Sequence, residues 1–193
     1  MKIVEYPHPT LRHKSKPLKK IDADLRRTVA EMFHLMYEAE GIGLAANQVD
    51  LPYRLFVLNL SEERTQEDEM VFINPVISRG KEPDEKEEGC LSIPGVYASV
   101  RRPTSIHVSA LDLRGHPIEA DCRGLLARAI QHETDHLDGI LFIDRLVETT
   151  QKEVQDDLDR FKRKFQQDRD ENNIPPDDVI LRRLKEIEST YCR

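Results

Sequence analysis

The stretch "QHETDHLDGILF", residues 131–142, contains the pattern H-E-x-x-H, formed by His132, Glu133 and His136. Two histidines four residues apart lie on one face of a helix, where both imidazoles can hold the same metal ion. A glutamate beside the first histidine can reach a water molecule on that metal without being a ligand itself. The alternative is a buried helix with two structural histidines and a chance glutamate. Since a catalytic metal of this kind has three protein ligands, the stretch predicts a metal site whose third ligand is still to be found.

A helix over residues 124–139 is predicted around this pattern. At about 100° per residue, the two histidines lie about 40° apart, above Leu125 and Ala129 on one strip. The apolar face continues through Leu126, Ile130 and Leu137. The other side carries Arg128, Gln131, Asp135 and Asp138. We therefore expect the histidines at the edge of a buried face, with Asp135 either anchoring a ligand histidine or solvated.

The third ligand distinguishes one enzyme class from another. In metzincin proteases a third histidine follows, but Phe142 stands at that position. A thermolysin-like zinc endopeptidase would use a downstream glutamate, Glu148 or Glu153, although solvated glutamates are expected in so charged a segment. Cys90, in "EGCLSIPG", is the stronger candidate, because a thiolate is a strong ligand for Zn²⁺ or Fe²⁺. The alternative for this cysteine is an inert, small core residue.

The composition is that of a soluble globular protein with a heavily charged surface. The chain has 193 residues, 38% hydrophobic and 34% charged, which is enough for one domain and an appendage. Its net charge is −7, whereas a general nucleic-acid binder is usually basic. No run of about 18 apolar residues occurs, so we expect no membrane span.

The N-terminal segment and the cysteines indicate a cytoplasmic protein. Residues 1–10 lack the apolar segment of a secretory signal. The cysteines, Cys90, Cys122 and Cys192, are odd in number and far apart, which argues against a disulfide framework. We therefore expect a reducing compartment.

An α+β fold is expected from the remaining segments. Residues 21–41 have apolar side chains at helical spacing, with Asp22 or Asp24 as N-cap and Gly41 as the C-terminal stop. "RLFVLNL" and "MVFINPVIS" predict strands, since both are rich in β-branched and aromatic residues. Residues 104–124 alternate around Arg114-Gly115 and predict a hairpin. We expect mixed or antiparallel β-sheets wrapped around the central metal-bearing helix.

The composition changes after about residue 147. The segment that follows is helical in period but has few apolar residues, and "IPPDD" interrupts it. We therefore expect a catalytic metallohydrolase domain over residues 1–147. Residues 148–193 would form a C-terminal helical extension, packed on the domain or partly free.

Three segments in this order, "GIGLAANQV" (41–49), "EGCLS" (88–92) and "QHETDHLDG" (131–139), resemble the signature motifs of peptide deformylases. The opening "YPHPTLR" (6–12) is similar to the N-terminal segment of that family. The resemblance covers roughly residues 1–147.

The resemblance implies a metal-dependent hydrolase that removes the N-formyl group from the N-terminal formylmethionine of nascent polypeptides and releases formate. It implies Fe²⁺ as the physiological metal, with Zn²⁺ or another divalent ion able to substitute. The expected partner is an N-formylmethionyl peptide, with a ribosome contact through the tail as a further candidate. Neither a membrane nor a specific nucleic acid is expected.

The resemblance also implies roles for individual residues. The metal ligands would be Cys90, His132 and His136. Glu133 would be the general base and then the general acid. The main-chain N–H of Leu91 and the side-chain amide of Gln48 would stabilise the oxyanion. Gly43 would face the substrate's backbone.

The methionine side chain needs an apolar pocket. Ile42, Leu125 and Ala129 are candidate lining residues, and Glu88 borders the same region. Arg128 lies at the outer edge of the strip, where it can reach the rim. Ordinary core packing is the alternative for all of them.

Two other function classes remain as hypotheses. One is an H-E-x-x-H zinc endopeptidase, against which Phe142 and the upstream "EGCLS" argue. The other is an inactive protein that binds a metal or formyl peptides, against which Glu133 and Gln48 argue.

Overall fold

A five-stranded antiparallel sheet is the frame of the molecule, and its strands follow one another in chain order. The strands are β1 (Gly43–Ala45), β2 (Leu55–Leu58), β3 (Met70–Cys90), β4 (Ile93–Leu111) and β5 (Pro117–Arg123). The structure is a computed structural model that describes residues 1–193. The predicted α+β fold is confirmed, and the sheet is antiparallel throughout.

The long hairpin of β3 and β4 carries the acidic run of residues 81–88. This run is extended and paired, with Glu85 opposite Arg101 and Glu87 opposite Ser99. The pairing ends where Cys90 lies opposite Ile93, at the tip of the hairpin. The first cysteine of the chain is therefore held at a tight reversal between two long strands.

Helix α1 (Ala23–Glu38) begins as predicted but ends earlier than expected. The Asp22 side chain accepts a hydrogen bond from the Leu25 N–H at 3.0 Å, which caps the N-terminus. At the other end Glu40, not Gly41, adopts the left-handed conformation, with φ 56°. Gly41 packs closely against the next segment of the site, since a Cβ there would lie 2.6 Å from Leu91 Cδ1.

Helix α2 (Gly124–Leu137) packs its apolar face against the sheet. Side chains of the helix and of all five strands form one buried cluster, among them Phe56, Leu58, Phe72, Ile106, Val108, Ala127, Ile130 and Leu137. Gly139, with φ 73°, follows the helix, and a Cβ there would lie 2.6 Å from the Arg12 carbonyl oxygen. This close approach fixes the end of the helix against the N-terminal segment.

The tail consists of three helices, α3 (Glu148–Glu153), α4 (Gln155–Asp170) and α5 (Asp177–Tyr191), which pack on the rest of the chain. Val154 and Leu158 share a core cluster with Ile93 and Val96 of β4. Helix α5 contacts the 3₁₀ helix Pro9–Arg12. No helix combines the length and apolarity that crossing a membrane requires.

Replacing Leu184 of α5 with alanine tests this packing, because Leu184 is fully buried. We expect the free energy of unfolding to fall by about 2–5 kcal/mol, measured by guanidinium denaturation. Leu181→Ala is the matched control, since Leu181 lies on the same helix and is 38% exposed. We expect its effect to stay within about 0.5 kcal/mol. Equal effects of the two substitutions would contradict the docking of α5.

Candidate metal centre and active site

The three predicted metal ligands meet at the junction of the hairpin tip and α2. One donor atom from each of Cys90, His132 and His136 lies within 4.8 Å of the other two. The two Nε2 atoms are 3.2 Å apart, and Cys90 Sγ is 3.2 Å from His136 Nε2. Glu148 and Glu153 lie on α3 with exposed side chains and are not part of this cluster. The structure thus brings Cys90 to the two histidines, and it does not bring Glu148 or Glu153 there.

The donor set fits a divalent metal such as Zn²⁺ or Fe²⁺. A thiolate and two neutral imidazoles are ligands that these ions accept, and three protein ligands leave a coordination position open. Burial lowers the pKa of His136 well below its ordinary value, which keeps its ring neutral. The Nδ1 of His132 lies 3.0 Å from Glu88 Oε2. When the Nδ1–H donates a hydrogen bond to this carboxylate, the lone pair is on Nε2, the atom that faces the other donors.

Glu88 lines the cleft, as expected of a residue at the border of the substrate pocket, but its carboxylate is buried and fully engaged. Arg102 donates to both of its oxygens, at 2.6 and 2.9 Å, and Arg128 donates at 2.6 Å. Burial alone would raise the pKa of Glu88, but the hydrogen bonds from His132 and Arg102 outweigh it and lower the pKa to about 2. Glu88 therefore carries a permanent charge that orients His132.

The polar side of α2 is buried, and the alternative of a solvated Asp135 is wrong. Asp135 accepts a hydrogen bond from Arg102 Nη1 at 2.6 Å and pairs with Arg145. Arg128 and Gln131 are also about nine-tenths buried, because both bond to strand β4: Arg128 Nη1 reaches the Val100 carbonyl at 2.9 Å. The polar side chains of the helix are thus its attachment to the hairpin.

Arg102 and Arg145 are the residues that sequence reasoning missed. No contact with α2 was predicted for Arg102, yet it is 2% exposed. The alternation along β4 could have predicted its burial. Val96, Ala98 and Val100 are buried at every second position, and Arg102 is the next position in that series. No comparable signal exists for Arg145, which lies on a 3₁₀ helix (Phe142–Arg145).

Glu133 faces the metal cluster from a buried position. Its side chain is nearly inaccessible, and Oε2 has no hydrogen-bond partner. Burial raises the pKa of Glu133 to about 7. Strand β1 passes so close that a Cβ on Gly43 would collide with the Glu133 carboxylate unless that side chain moved. A carboxyl with this pKa can both accept and release a proton near neutral pH.

Gln48 has its amide oriented by the protein. It lies on the 3₁₀ helix Ala46–Val49, and its Oε1 accepts a hydrogen bond from the Ala45 N–H at 2.8 Å. The Nε2 therefore points to the metal cluster, 3.4 Å from Cys90 Sγ and 3.2 Å from Ser92 Oγ. An N–H₂ group held in this way is a preorganised donor.

A cleft of about 650 Å³ opens at this junction. All five predicted substrate residues line it: Ile42, Gly43, Glu88, Leu125 and Ala129. So do Leu91, Gln48, Glu133 and Tyr97. The apolar side chains of Ile42, Tyr97 and Leu125 are exposed at its mouth, as expected of a site that binds an apolar group.

The family model described as polypeptide deformylase matches residues 1–152. The chain belongs to the polypeptide deformylase family. A peptide deformylase of Rhodopirellula baltica is 42% identical over 191 residues, covering 99% of this chain and 95% of that protein. A chloroplastic peptide deformylase 1B of Solanum lycopersicum is 40% identical over 96% of this chain and 66% of its own length.

Solved structures of peptide deformylases have the same fold. That from Plasmodium falciparum has a TM-score of 0.83 and 41% identity, covering 86% of this chain and 97% of its own. Peptide deformylase 1B of Arabidopsis thaliana has a TM-score of 0.82 and 38% identity, covering 91% and 96%. The chain is a peptide deformylase, a hydrolase that acts on formylated peptides, and the endopeptidase alternative receives no support.

Removing the thiol of Cys90 should remove most of the metal from this peptide deformylase. We expect Cys90→Ala to retain well under half of the wild-type metal content, because two imidazoles alone form an incomplete site. Elemental analysis after purification measures it. Cys122→Ala is the control, since Cys122 is buried in the core of the sheet and should keep its metal. Full metal content in Cys90→Ala would exclude Cys90 as a ligand.

Proposed function

We propose that this peptide deformylase hydrolyses the formyl group from N-terminal formylmethionine, with Cys90, His132 and His136 as its metal ligands. The observation that carries the proposal is the convergence of two further groups on the same three donors. These are the unpartnered carboxylate of Glu133 and the oriented amide of Gln48. Hydrolysis of an amide needs a group of each kind, one to move protons and one to hold negative charge.

Glu133 is the proton carrier in this proposal. A divalent metal at the three donors lowers the pKa of water and polarises a carbonyl group. Glu133 takes the proton of the attacking water and passes it to the leaving amine nitrogen. Its pKa of about 7 suits both steps, since a stronger acid would not accept the proton and a weaker one would not release it.

Gln48 and the main-chain N–H of Leu91 stabilise the charge that grows on the formyl oxygen. Support for Gln48 comes from its fixed amide, which needs no reorganisation when the charge develops. Leu91 directly follows Cys90 and lines the cleft, so its backbone lies next to the metal ligands.

The methionine side chain occupies the part of the cleft lined by Ile42, Leu125 and Ala129. Gly43, on the edge strand β1, faces the substrate's backbone. Glu88 borders this pocket, and its contribution is mainly indirect, because its carboxylate is occupied by two arginines and His132.

Iron is the proposed physiological metal, with Zn²⁺ or another divalent ion as a substitute. A thiolate ligand makes an iron form sensitive to oxygen, because the sulfur is readily oxidised. Anaerobically purified protein should therefore contain iron and lose activity in air. Unchanged activity after exposure to air would contradict the assignment of iron.

We place the catalytic chemistry in residues 1–147 and regard residues 148–193 as a helical extension docked on them. A cytoplasmic location is consistent with Cys90, which must stay reduced to act as a ligand. Contact with the ribosome through exposed basic side chains of the extension, such as Arg163, is part of the proposal.

Release of formate from a short N-formylmethionyl peptide is the decisive assay. The N-acetylated peptide of the same sequence and casein serve as comparisons. We expect formate from the formyl peptide and no reaction with the other two. A metal-loaded sample that releases no formate would refute the proposal, and cleavage of casein would favour an endopeptidase.

Gln48→Ala should lower kcat by about 10²–10³-fold, because one donor to the developing oxyanion is lost. The measurement is the steady-state rate of formate release at saturating peptide. Metal content serves as the control, since Gln48 Nε2 also lies near Cys90 Sγ. Wild-type turnover in the metal-loaded variant would exclude the oxyanion role.

A further inference from the structure

A second concavity lies beside the active-site cleft and shares a wall with it. Residues 94–96, at the start of β4, line both. The second concavity has a volume of about 400 Å³. The rest of its lining comes from α4, with Asp157, Arg160, Phe161 and Lys164. The C-terminal extension therefore forms one side of a space that adjoins the catalytic cleft.

We propose that this concavity continues the substrate groove and receives the peptide chain beyond about its third residue, with a preference for acidic side chains. The inference rests on the proposed function, because it needs the formyl end of the peptide to lie at the metal ligands. It assigns to α4 a part in selecting substrates.

The shared wall is low enough for a peptide to cross. Pro94 and Gly95 are exposed at its top, and Gly95 has φ 78° with open space where a Cβ would stand. A substrate backbone can thus pass over Gly95 without meeting a side chain.

One core cluster lies behind both spaces. Val96 is buried under the wall and shares a core cluster with Val154 and Leu158 of the extension. The same cluster includes Cys90 as a partly buried neighbour. The position of α4 is therefore set relative to the metal ligands, and the groove on α4 lies at a defined distance from the formyl end.

The charges on α4 decide which peptide segment fits. Arg160 and Lys164 are exposed cations, and Asp157 is the one acid in the lining. Arg160 pairs with Asp157, and Lys164 pairs with Glu5 outside the concavity. Two cations and one acid therefore line the concavity, together with the half-buried ring of Phe161, while Glu5 lies outside the lining. This combination favours an acidic side chain and disfavours a basic one.

The volume of the active-site cleft indicates how many residues of the peptide lie in it. A volume of about 650 Å³ holds a ligand of drug size, comparable to the first two or three residues of a peptide. An extended chain advances about 3.3–3.6 Å per residue, so the following residues pass over the wall and reach α4.

The test compares kcat/KM for three formyl peptides. One is the tripeptide formyl-Met-Ala-Ser, and the others extend it by three glutamates or three lysines. We expect the wild-type enzyme to prefer the glutamate hexapeptide over the lysine hexapeptide by about three- to five-fold at low salt. Arg160→Glu should abolish or invert this preference and leave kcat/KM for the tripeptide unchanged. Arg163→Glu is the matched control, because Arg163 is exposed on the same helix but does not line the concavity.

Equal kcat/KM values for the two hexapeptides in the wild type would overturn the inference. So would identical effects of Arg160→Glu and Arg163→Glu, which would indicate only the net charge of the helix. Binding of labelled hexapeptides to the Glu133→Gln protein, with and without Arg160→Glu, measures the same preference without turnover. Failure of the tripeptide to release formate would refute the proposed function, whereas the binding measurement still decides on the groove.

Discussion

The buried carboxylate of Glu88 is the contact on which the active site depends. It accepts hydrogen bonds from Arg102 of β4, from Arg128 and His132 of α2, and it lies on β3. One charged group thus joins the hairpin to the metal-bearing helix. Breaking such a buried pair by removing one partner costs about 3–5 kcal/mol, because the remaining charge is left uncompensated. The helix can therefore neither slide nor rotate against the hairpin without exposing an unpaired charge to an apolar core.

The same contact aligns the proposed metal ligands with one another. Glu88 and Cys90 are two residues apart on β3, and the side chains of both contact α2. Glu88 reaches His132, and Cys90 reaches His136 one helical turn further on. Two residues of a strand, from Glu88 to Cys90, span about 6.6–6.8 Å. Four residues of a helix, from His132 to His136, span about 6 Å, so the two distances match. This match explains how ligands about 40 residues apart in sequence converge on one point.

Local patterns predicted the parts of the site but not what holds them together. His132, Glu133 and His136 were found because their spacing is a property of one helix, and the helix bounds were right to within two residues. Arg102 and Arg145 were not found as partners of that helix, because the acid that each arginine pairs with, Asp135, lies far from it in the pattern of its own segment. The acidic run of residues 81–88 was not predicted to be a strand. Its many charged side chains do not show the pattern of a strand, and its pairing with β4 is a long-range contact. Residue roles taken from the family resemblance, such as that of Gln48, stay predictions until activity is measured.

The extension beyond residue 147 packs against the site with only a few apolar side chains. Its helices have few buried side chains, so composition alone suggested an appendage. Yet Val154 and Leu158 cover Ile93 and Val96, the residues that follow the reversal at Cys90. A residue at a hairpin tip has backbone neighbours on one side only, and its position is otherwise free to fluctuate with the turn. Because Val154 and Leu158 belong to the core cluster against which Cys90 packs, we regard the extension as a support for Cys90.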